Sequence, residues 1–267
     1  MSIAEKLLTI AENEQRVFDA GYEKGKQEGG GGDTEAAFEA GRQAESEAFW
    51  NGFTNNGNRT NYQYAFWYWG NEYINPTRAI VPTDKGSLYH TFAFNTNLKE
   101  IRKGKFDFSQ KERGTNNQQG FGFTFQGCRN LLIIEDIGIK AEHQIIQAFS
   151  ECSSLHTIEV LRIAEDTALN TNIFRNCANL QNITIDGTIG QNGFDIHWST
   201  KLTKISILSI LNACNIDVTS SPVTVTLPSK CIDGVTSTQE LLSETGDPDL
   251  YSAQLTARNL GYNIAFA

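Results

Sequence analysis

From residue 92 onward, apolar residues recur in a fixed order. An aromatic or aliphatic residue is followed by Cys, Asn or Ser three positions on, Leu six on and Ile nine on. The copies are Phe92/Asn95/Leu98/Ile101, Phe125/Cys128/Leu131/Ile134, Phe149/Cys152/Leu155/Ile158, Phe174/Cys177/Leu180/Ile183 and Ile196/Ser199/Leu202/Ile205. Their starts lie 33, 24, 25 and 22 residues apart, and three copies spell related words: FQGCRNLLII, FSECSSLHTI and FRNCANLQNI. The spacing fits a short turn carrying Phe and Cys, then Leu, then a strand starting near Ile. IEVLRIA and ITIDGTI have the alternation and β-branched content of strands. One such unit cannot bury its apolar face alone, whereas stacked neighbours bury a continuous ladder. Cys128, Cys152 and Cys177 are read as members of that core rather than nucleophiles or ligands, because free cysteine is among the most buried residue types.

Residues 1–48 carry a different pattern. Ile3, Leu7, Ile10 and Val17 form an apolar seam at the coiled-coil period, with polar Glu14 at the missing position. Ser2 and Glu5 make a capping box that would start the helix. The same periodicity suits an amphipathic helix packed on its own domain, and periodicity alone does not choose. Gly29–Gly32 break the helix as a flexible joint; no Lys-Ser/Thr follows, so the run is not a phosphate loop. Asp33 caps a second helix to about Asn51. Its Ala37–Gly41 resembles Val17–Gly21 closely enough to read as a duplicated unit.

Residues 49–90 are rich in aromatics, including Trp50, Trp67 and Trp69. Such a cluster either stacks sugars or bases or fills the core of a small cap, and it is read here as an N-terminal cap. Beyond the repeats, Thr203 caps KISILSILNAC, a helix to about Cys214. Its Ile and Leu residues nearly fill all faces, so it is expected to be buried against the last repeat. Pro222–Leu227 predicts a strand. Asp247-Pro248 opens a helix in the favoured N-cap order, Gly261 ends it, and Tyr262–Phe266 predicts a last strand. The expected organisation is α+β. A helical attachment segment (1–48) precedes the aromatic cap (49–90), stacked repeats (91–205) and a C-terminal helix–strand cap (206–267).

Charge narrows the function classes. The 267 residues hold 22 basic and 31 acidic side chains, a net charge of −9. Residues 1–48 alone hold 5 basic and 11 acidic side chains, or −6. A nucleic-acid partner would need a basic face, so none is expected. Apolar runs fall short of the roughly 18 residues of a membrane span. The opening MSIAEKLLTIAENEQ lacks the features of a secretory signal. The cysteines (Cys128, Cys152, Cys177, Cys214 and Cys231) include no CxxC pair, which argues against a disulfide framework and a zinc site. His90, His143, His156 and His197 form no HExxH motif, and no GxSxG, EF-hand or Rossmann fingerprint occurs. The acidic pair Glu165-Asp166 falls in an inter-repeat loop. The expectation is a protein that is not an enzyme and has no metal and no cofactor.

The F-x-x-C-x-x-L-x-x-I core of residues 90–205 resembles the BspA-type leucine-rich repeat. The first copy departs from it, with Asn95 in place of Cys and an insertion at Gly114–Gly122. The last, with Ile196 and Ser199, looks like a terminal cap. IAEKLLTIAENEQRVFDAGYEKG, FWNGFTNNGNRTNYQYAFWYWG and the closing helix–strand module resemble proteins from structural regions of bacteriophages and prophages of gut bacteria. The resemblance implies a short leucine-rich-repeat solenoid in a non-enzymatic virion protein (tail, fibre or head decoration) assembled in the host cytoplasm. Its N-terminal helices would bind other virion proteins, and the seam of Ile3, Leu7, Ile10 and Val17 would suit a homotrimer. The repeats would present a surface to a host glycan or protein through variable positions between ladder residues. The candidates are Arg129, His156, Glu159, Arg162, Arg175 and Gln181. Two other readings stay open. A bacterial surface adhesin of the same repeat family predicts a signal or anchor. A carbohydrate-active enzyme predicts carboxylates converging on Trp67 and Trp69.

Overall fold

The computed structural model describes residues 73–74, 91–101, 107–108, 122–139, 146–163, 172–190 and 192–267. The chain divides into two units, residues 1–58 with 73–80, and residues 59–72 with 81–267. In the first, the described element is the strand β1 (Tyr73–Ile74). The expected N-terminal helices, the seam, the glycine joint, Trp50, Trp67, Trp69 and Glu165-Asp166 lie outside the described residues.

In the second unit, turn-and-strand segments stack on one another. Strands β2 (Glu100–Ile101), β4 (Ile133–Ile134), β6 (Thr157–Ile163) and β7 (Asn182–Gly187) are parallel neighbours in that order. Their register aligns Ile101, Ile134, Ile158 and Ile183. Strands β3 (Asp107–Phe108) and β5 (Ile137–Ile139) continue the sheet beside the second half of β6. Parallel pairing places each isoleucine over its counterpart, and the other ladder positions follow. Leu98, Leu131, Leu155, Leu180 and Leu202 are all fully buried.

The aromatic column is the most regular part of the core. Phe92, Phe125, Phe149 and Phe174 stack with centroids 5.2, 5.6 and 5.5 Å apart and interplanar angles of 7° or less. Each ring contributes roughly 2–3 kcal/mol by burial, and each stacked pair about 1 kcal/mol more. Phe194 closes the column edge-on, 6.1 Å from Phe174 and at 79°. The fifth repeat therefore differs from its expected form. Residues Phe194–Asp195 are extended as strand β8 and pair with a later strand, and Ile196 donates its N–H to Thr226 O at 3.0 Å.

Among the described residues, the turns bend through left-handed positions two before and two after the stacked Phe. Two residues before it lie Phe123, Gln147 and Asn172, with φ of 56°, 53° and 75°. Two after it lie Phe94, Gly127, Glu151 and Asn176, with φ of 60°, 72°, 65° and 61°. Side chains at such φ cost of order 1 kcal/mol each, which the stacked core must offset. Gly127 meets a further demand. A Cβ there would lie 2.6 Å from the Phe94 ring of the preceding segment.

The helix expected after Thr203 forms as α1 (Lys204–Asn212), whose N-cap Thr203 accepts from Ser206 N. Two serines of this helix serve the open edge of β7. Ser206 Oγ accepts from Ile183 N at 2.9 Å and donates to Gln181 O at 2.9 Å. Ser209 Oγ accepts from Ile185 N at 2.8 Å. The expectation for Ile205 is corrected here. It is 77 % exposed, because holding Ser206 and Ser209 against the strand turns Ile205 outward. Ile207, Ile210 and Leu211 are its buried apolar residues, while Lys204, Ile205 and Asn212 are exposed, so the helix is not buried on all sides.

The rest is a small α+β module. Strands β9 (Val223–Leu227) and β12 (Tyr262–Phe266) join β8 in a parallel sheet ordered β12-β9-β8. Between them lie a two-residue-strand hairpin, β10 (Lys230–Cys231) with β11 (Thr236–Ser237), and the short helix α2 (Thr238–Leu241). Helix α3 (Pro248–Asn259) follows, its N-cap Asp247 accepting from the N–H groups of Asp249 and Leu250. Tyr262 Oη donates to Ile189 O at 2.6 Å and ties the last strand back to the turn after β7.

Candidate functional site

The six candidate side chains fall on two different surfaces. His156, Glu159, Arg162 and Gln181 belong to the strand side, and Arg129 and Arg175 to the turns. The strand side is built by backbone pairing. Leu132 N–H donates to Lys99 O, His156 N–H to Leu132 O, Gln181 N–H to His156 O and Thr203 N–H to Gln181 O, all at 2.8–2.9 Å. This ladder sets His156 and Gln181 in adjacent segments. His156 is exposed, and its Nδ1 lies 2.9 Å from Thr157 Oγ1. Gln181 is half-buried. Outward positions of the sheet align as Glu100, Ile133, Thr157 and Asn182, and further along as Gly138, Arg162 and Asp186. Glu159 is exposed at the irregularity between Ile158 and Leu161, where β6 and β7 slip register by one residue.

Arg162 is not the free surface group expected. Its guanidinium donates to Asp136 Oδ2 at 2.6 Å and covers a carboxylate that is only 3 % exposed. Gly138, beside Arg162 in register and buried, leaves room for that side chain. Asp136 Oδ1 is buried and receives no hydrogen bond. Half of this carboxylate is thus unsatisfied, a cost of about 1–3 kcal/mol. Sequence reasoning missed Asp136, although an acidic pair interrupting the apolar run LLIIEDIGI was a signal. With Glu100, Glu135, Asp136, Glu159 and Asp186 against Arg162 and Lys99, the strand side is acidic.

On the turns, Glu151 lies between two segments. Arg129 approaches its Oε2 at 3.8 Å, and Asn176 donates to its Oε1 at 3.3 Å. Asn179 donates to Ser153 O at 2.8 Å and accepts from Lys201 Nζ at 2.9 Å. Arg175 is exposed. Beyond these, Asp195 Oδ1 lies 2.6 Å from His197 Nδ1 and accepts from His197 N at 3.1 Å. The His197 ring packs against Trp198, with centroids 4.8 Å apart. This arrangement also escaped the sequence reading, where Trp198 stood apart from the aromatic segment. It holds no activated nucleophile, because Ser199 Oγ is buried and makes no hydrogen bond.

Two shallow grooves flank α1. One, of about 510 Å³, lies between α1 and α3, with Leu208, Leu211, Ser252 and Thr256 in its walls. The other, of about 380 Å³, is lined by Ile185, Asp186, Ile205 and Leu208. Asn212 and Asn215 line both, with Asp249 added in the first and Ser209 in the second. Among the described residues, no group of three His, Cys, Asp or Glu side chains could hold a metal ion, and no helix is long and apolar enough to cross a membrane. No protein-family model, no curated protein and no solved structure matches the chain.

Proposed function

We propose that this chain is a non-enzymatic structural protein of a bacteriophage particle, whose residues 91–205 form a short BspA-type leucine-rich-repeat solenoid and dock a protein through the strand side. The observation that carries this reading is the sheet's outward face. The paired parallel segments of β6 and β7 hold His156, Thr157, Glu159, Gln181 and Asn182 on a hydrogen-bonded backbone. Side chains on such a scaffold are free to bind without the cost of ordering the backbone beneath them. The exposed positions His156, Glu159 and Asn182 are polar, which suits the surface of a protein partner. The resemblance of the sequence to phage and prophage structural proteins supplies the setting.

Immunogold electron microscopy of particles released by the encoding phage or prophage tests the setting, using antibody against residues 91–267. Label on tail, fibre or head supports the proposal. Label on the bacterial envelope and none on particles replaces it with the adhesin reading.

A further inference from the structure

We propose that the groove between the edge of β7 and helix α1 binds an extended basic peptide segment of a partner protein, which adds to β7 as a short parallel strand. The chain leaves this edge incomplete. Ile183 and Ile185 turn their N–H groups away from β6, where Ser206 and Ser209 of α1 accept them at 2.9 and 2.8 Å. Backbone groups alternate along a parallel strand, so Asp186, in register with Arg162, turns its own N–H and C=O toward β6. Ile185 O and Gly187 N–H, one on each side of Asp186, therefore point outward together. Neither has a hydrogen-bond partner among the described residues. Pairing resumes only at Ile189, whose N–H donates to Ala213 O at 2.8 Å. The residue that follows Ser206 and Ser209 at the same helical spacing is Asn212, and its side chain is exposed in the groove.

The groups gather in one groove of about 380 Å³, walled by Ile185, Asp186, Gly187, Ile205, Leu208 and Asn212. An outward acceptor and an outward donor two residues apart are what one residue of a parallel strand bonds with its own N–H and C=O. Gly187 keeps that approach open, because a Cβ there would overlap Ile163 O. The bridging residue lies on the same face as Asp186, which is exposed, and sets its side chain beside the carboxylate. Ile205, 77 % exposed, and Leu208 supply an apolar wall. Charge selects the occupant. No Lys, Arg or His lines this groove or the one between α1 and α3, whereas Asp186 and Asp249 do. Arg162, opposite Asp186 in register, is committed to Asp136 at 2.6 Å, and Lys204, at the start of α1, to Asp247 at 3.1 Å. A segment of alternating basic and apolar residues meets the backbone, the carboxylate and the apolar wall at once. A helical segment would bring no free backbone groups to Ile185 O and Gly187 N–H.

The test is fluorescence polarisation of three labelled peptides titrated with the full chain at low and high salt. They are Lys-Val-Lys-Val-Lys, its Glu-Val-Glu-Val-Glu counterpart, and the basic peptide methylated on its lysine backbone nitrogens. The basic peptide should bind, more weakly at high salt, and the acidic one at least about tenfold more weakly. Backbone methylation keeps the charge but removes the donor to Ile185 O, and should also cost about tenfold. Asp186→Asn and Ile205→Ser, both at exposed positions, should each weaken binding several-fold with unchanged circular dichroism. His156→Ala and Glu159→Ala should leave it as it is, so this site stands or falls apart from the strand-side docking face. Absence of binding by the basic peptide overturns the proposal. So does equal binding of the methylated peptide, which would be charge attraction alone, or binding that survives Asp186→Asn and Ile205→Ser together. A molar mass of the free chain that rises with concentration, and no longer does so in Ile205→Ser, would overturn it in favour of a second copy in the groove.

Discussion

Cys177 donates its thiol proton to the carbonyl oxygen of Phe149, one segment earlier, across 3.0 Å. Cys152 does the same to Phe125 at 3.1 Å and Cys128 to Phe92 at 3.2 Å. A small, weakly polar side chain at this position thus links each turn to the one before it. All five cysteines are buried, and burial pushes the Cys177 and Cys214 thiols up to about 12. A pKa raised on folding stabilises the folded state fully below the unfolded value, near 8.5, and that contribution is lost as pH rises toward the folded value. Two results are expected. A dithiobis-nitrobenzoate assay at neutral pH finds no reactive thiol until the protein unfolds. Urea midpoints fall as pH is raised above ~8.5.

Phe149 is stacked on both faces, by Phe125 and by Phe174. Phe149→Ala should cost about 3–5 kcal/mol in chemical denaturation, because it removes the ring and leaves a cavity in the middle of the column. Phe149→Leu should cost less. A loss below about 1 kcal/mol for the alanine variant would mean that the column does not carry the stability assigned to it.

Ser206 satisfies two backbone groups of β7 at once, Ile183 N and Gln181 O. Ser206→Ala leaves Ile183 N without its partner, whereas Gln181 O keeps the Thr203 N–H, and should destabilise by about 1–3 kcal/mol. Adding Ser209→Ala frees Ile185 N as well. An uncovered strand edge invites pairing with another chain. The double variant should therefore show a concentration-dependent rise in molar mass by light scattering that the wild type lacks.

Asp247 caps α3 and bonds Lys204 of α1 at 3.1 Å. The Lys204 ammonium and the N–H groups of Leu250 and Asp249 hold its carboxyl below the usual carboxylate range. A depressed pKa stabilises the fold above the unfolded value, about 3.9, and that contribution disappears as pH falls through the folded value. Wild-type stability should therefore drop in acid more steeply than that of Asp247→Asn, as read from thermal midpoints across the acid range. Parallel curves would remove Asp247 from the acid response.

The ladder was legible because its side chains repeat by type and spacing. Burial selects Phe, Cys, Leu and Ile at fixed positions whatever the intervening residues are. The C-terminal module was legible for a different reason. Thr203, Asp247-Pro248 and Gly261 are chemical punctuation, and each stands where the structure starts or ends a helix. What escaped were features set by backbone geometry. Left-handed turns are held at Phe94, Gln147 and Glu151, residues with no glycine-like preference, so only stacking on the next segment imposes them. The fifth repeat misled for a related reason. Ile205 fits the ladder spacing, but the two serines after it draw a helix across the strand edge and turn Ile205 to solvent. Of the candidate site, the exposed positions were legible. The Arg162–Asp136 pair and the His197–Trp198 contact depend on packing between segments or within one tight turn, which spacing does not encode.

The most direct test of the proposed docking role is binding of the purified full chain to bacterial cells and to the other proteins of the proposed phage particle. The wild type is compared with a His156→Ala/Glu159→Ala/Gln181→Ala variant of equal thermal stability. If the strand side is the docking face, the variant should lose at least about tenfold in affinity for its partner, since a few residues carry most of an interface's binding energy. Equal binding by the two proteins would contradict the account.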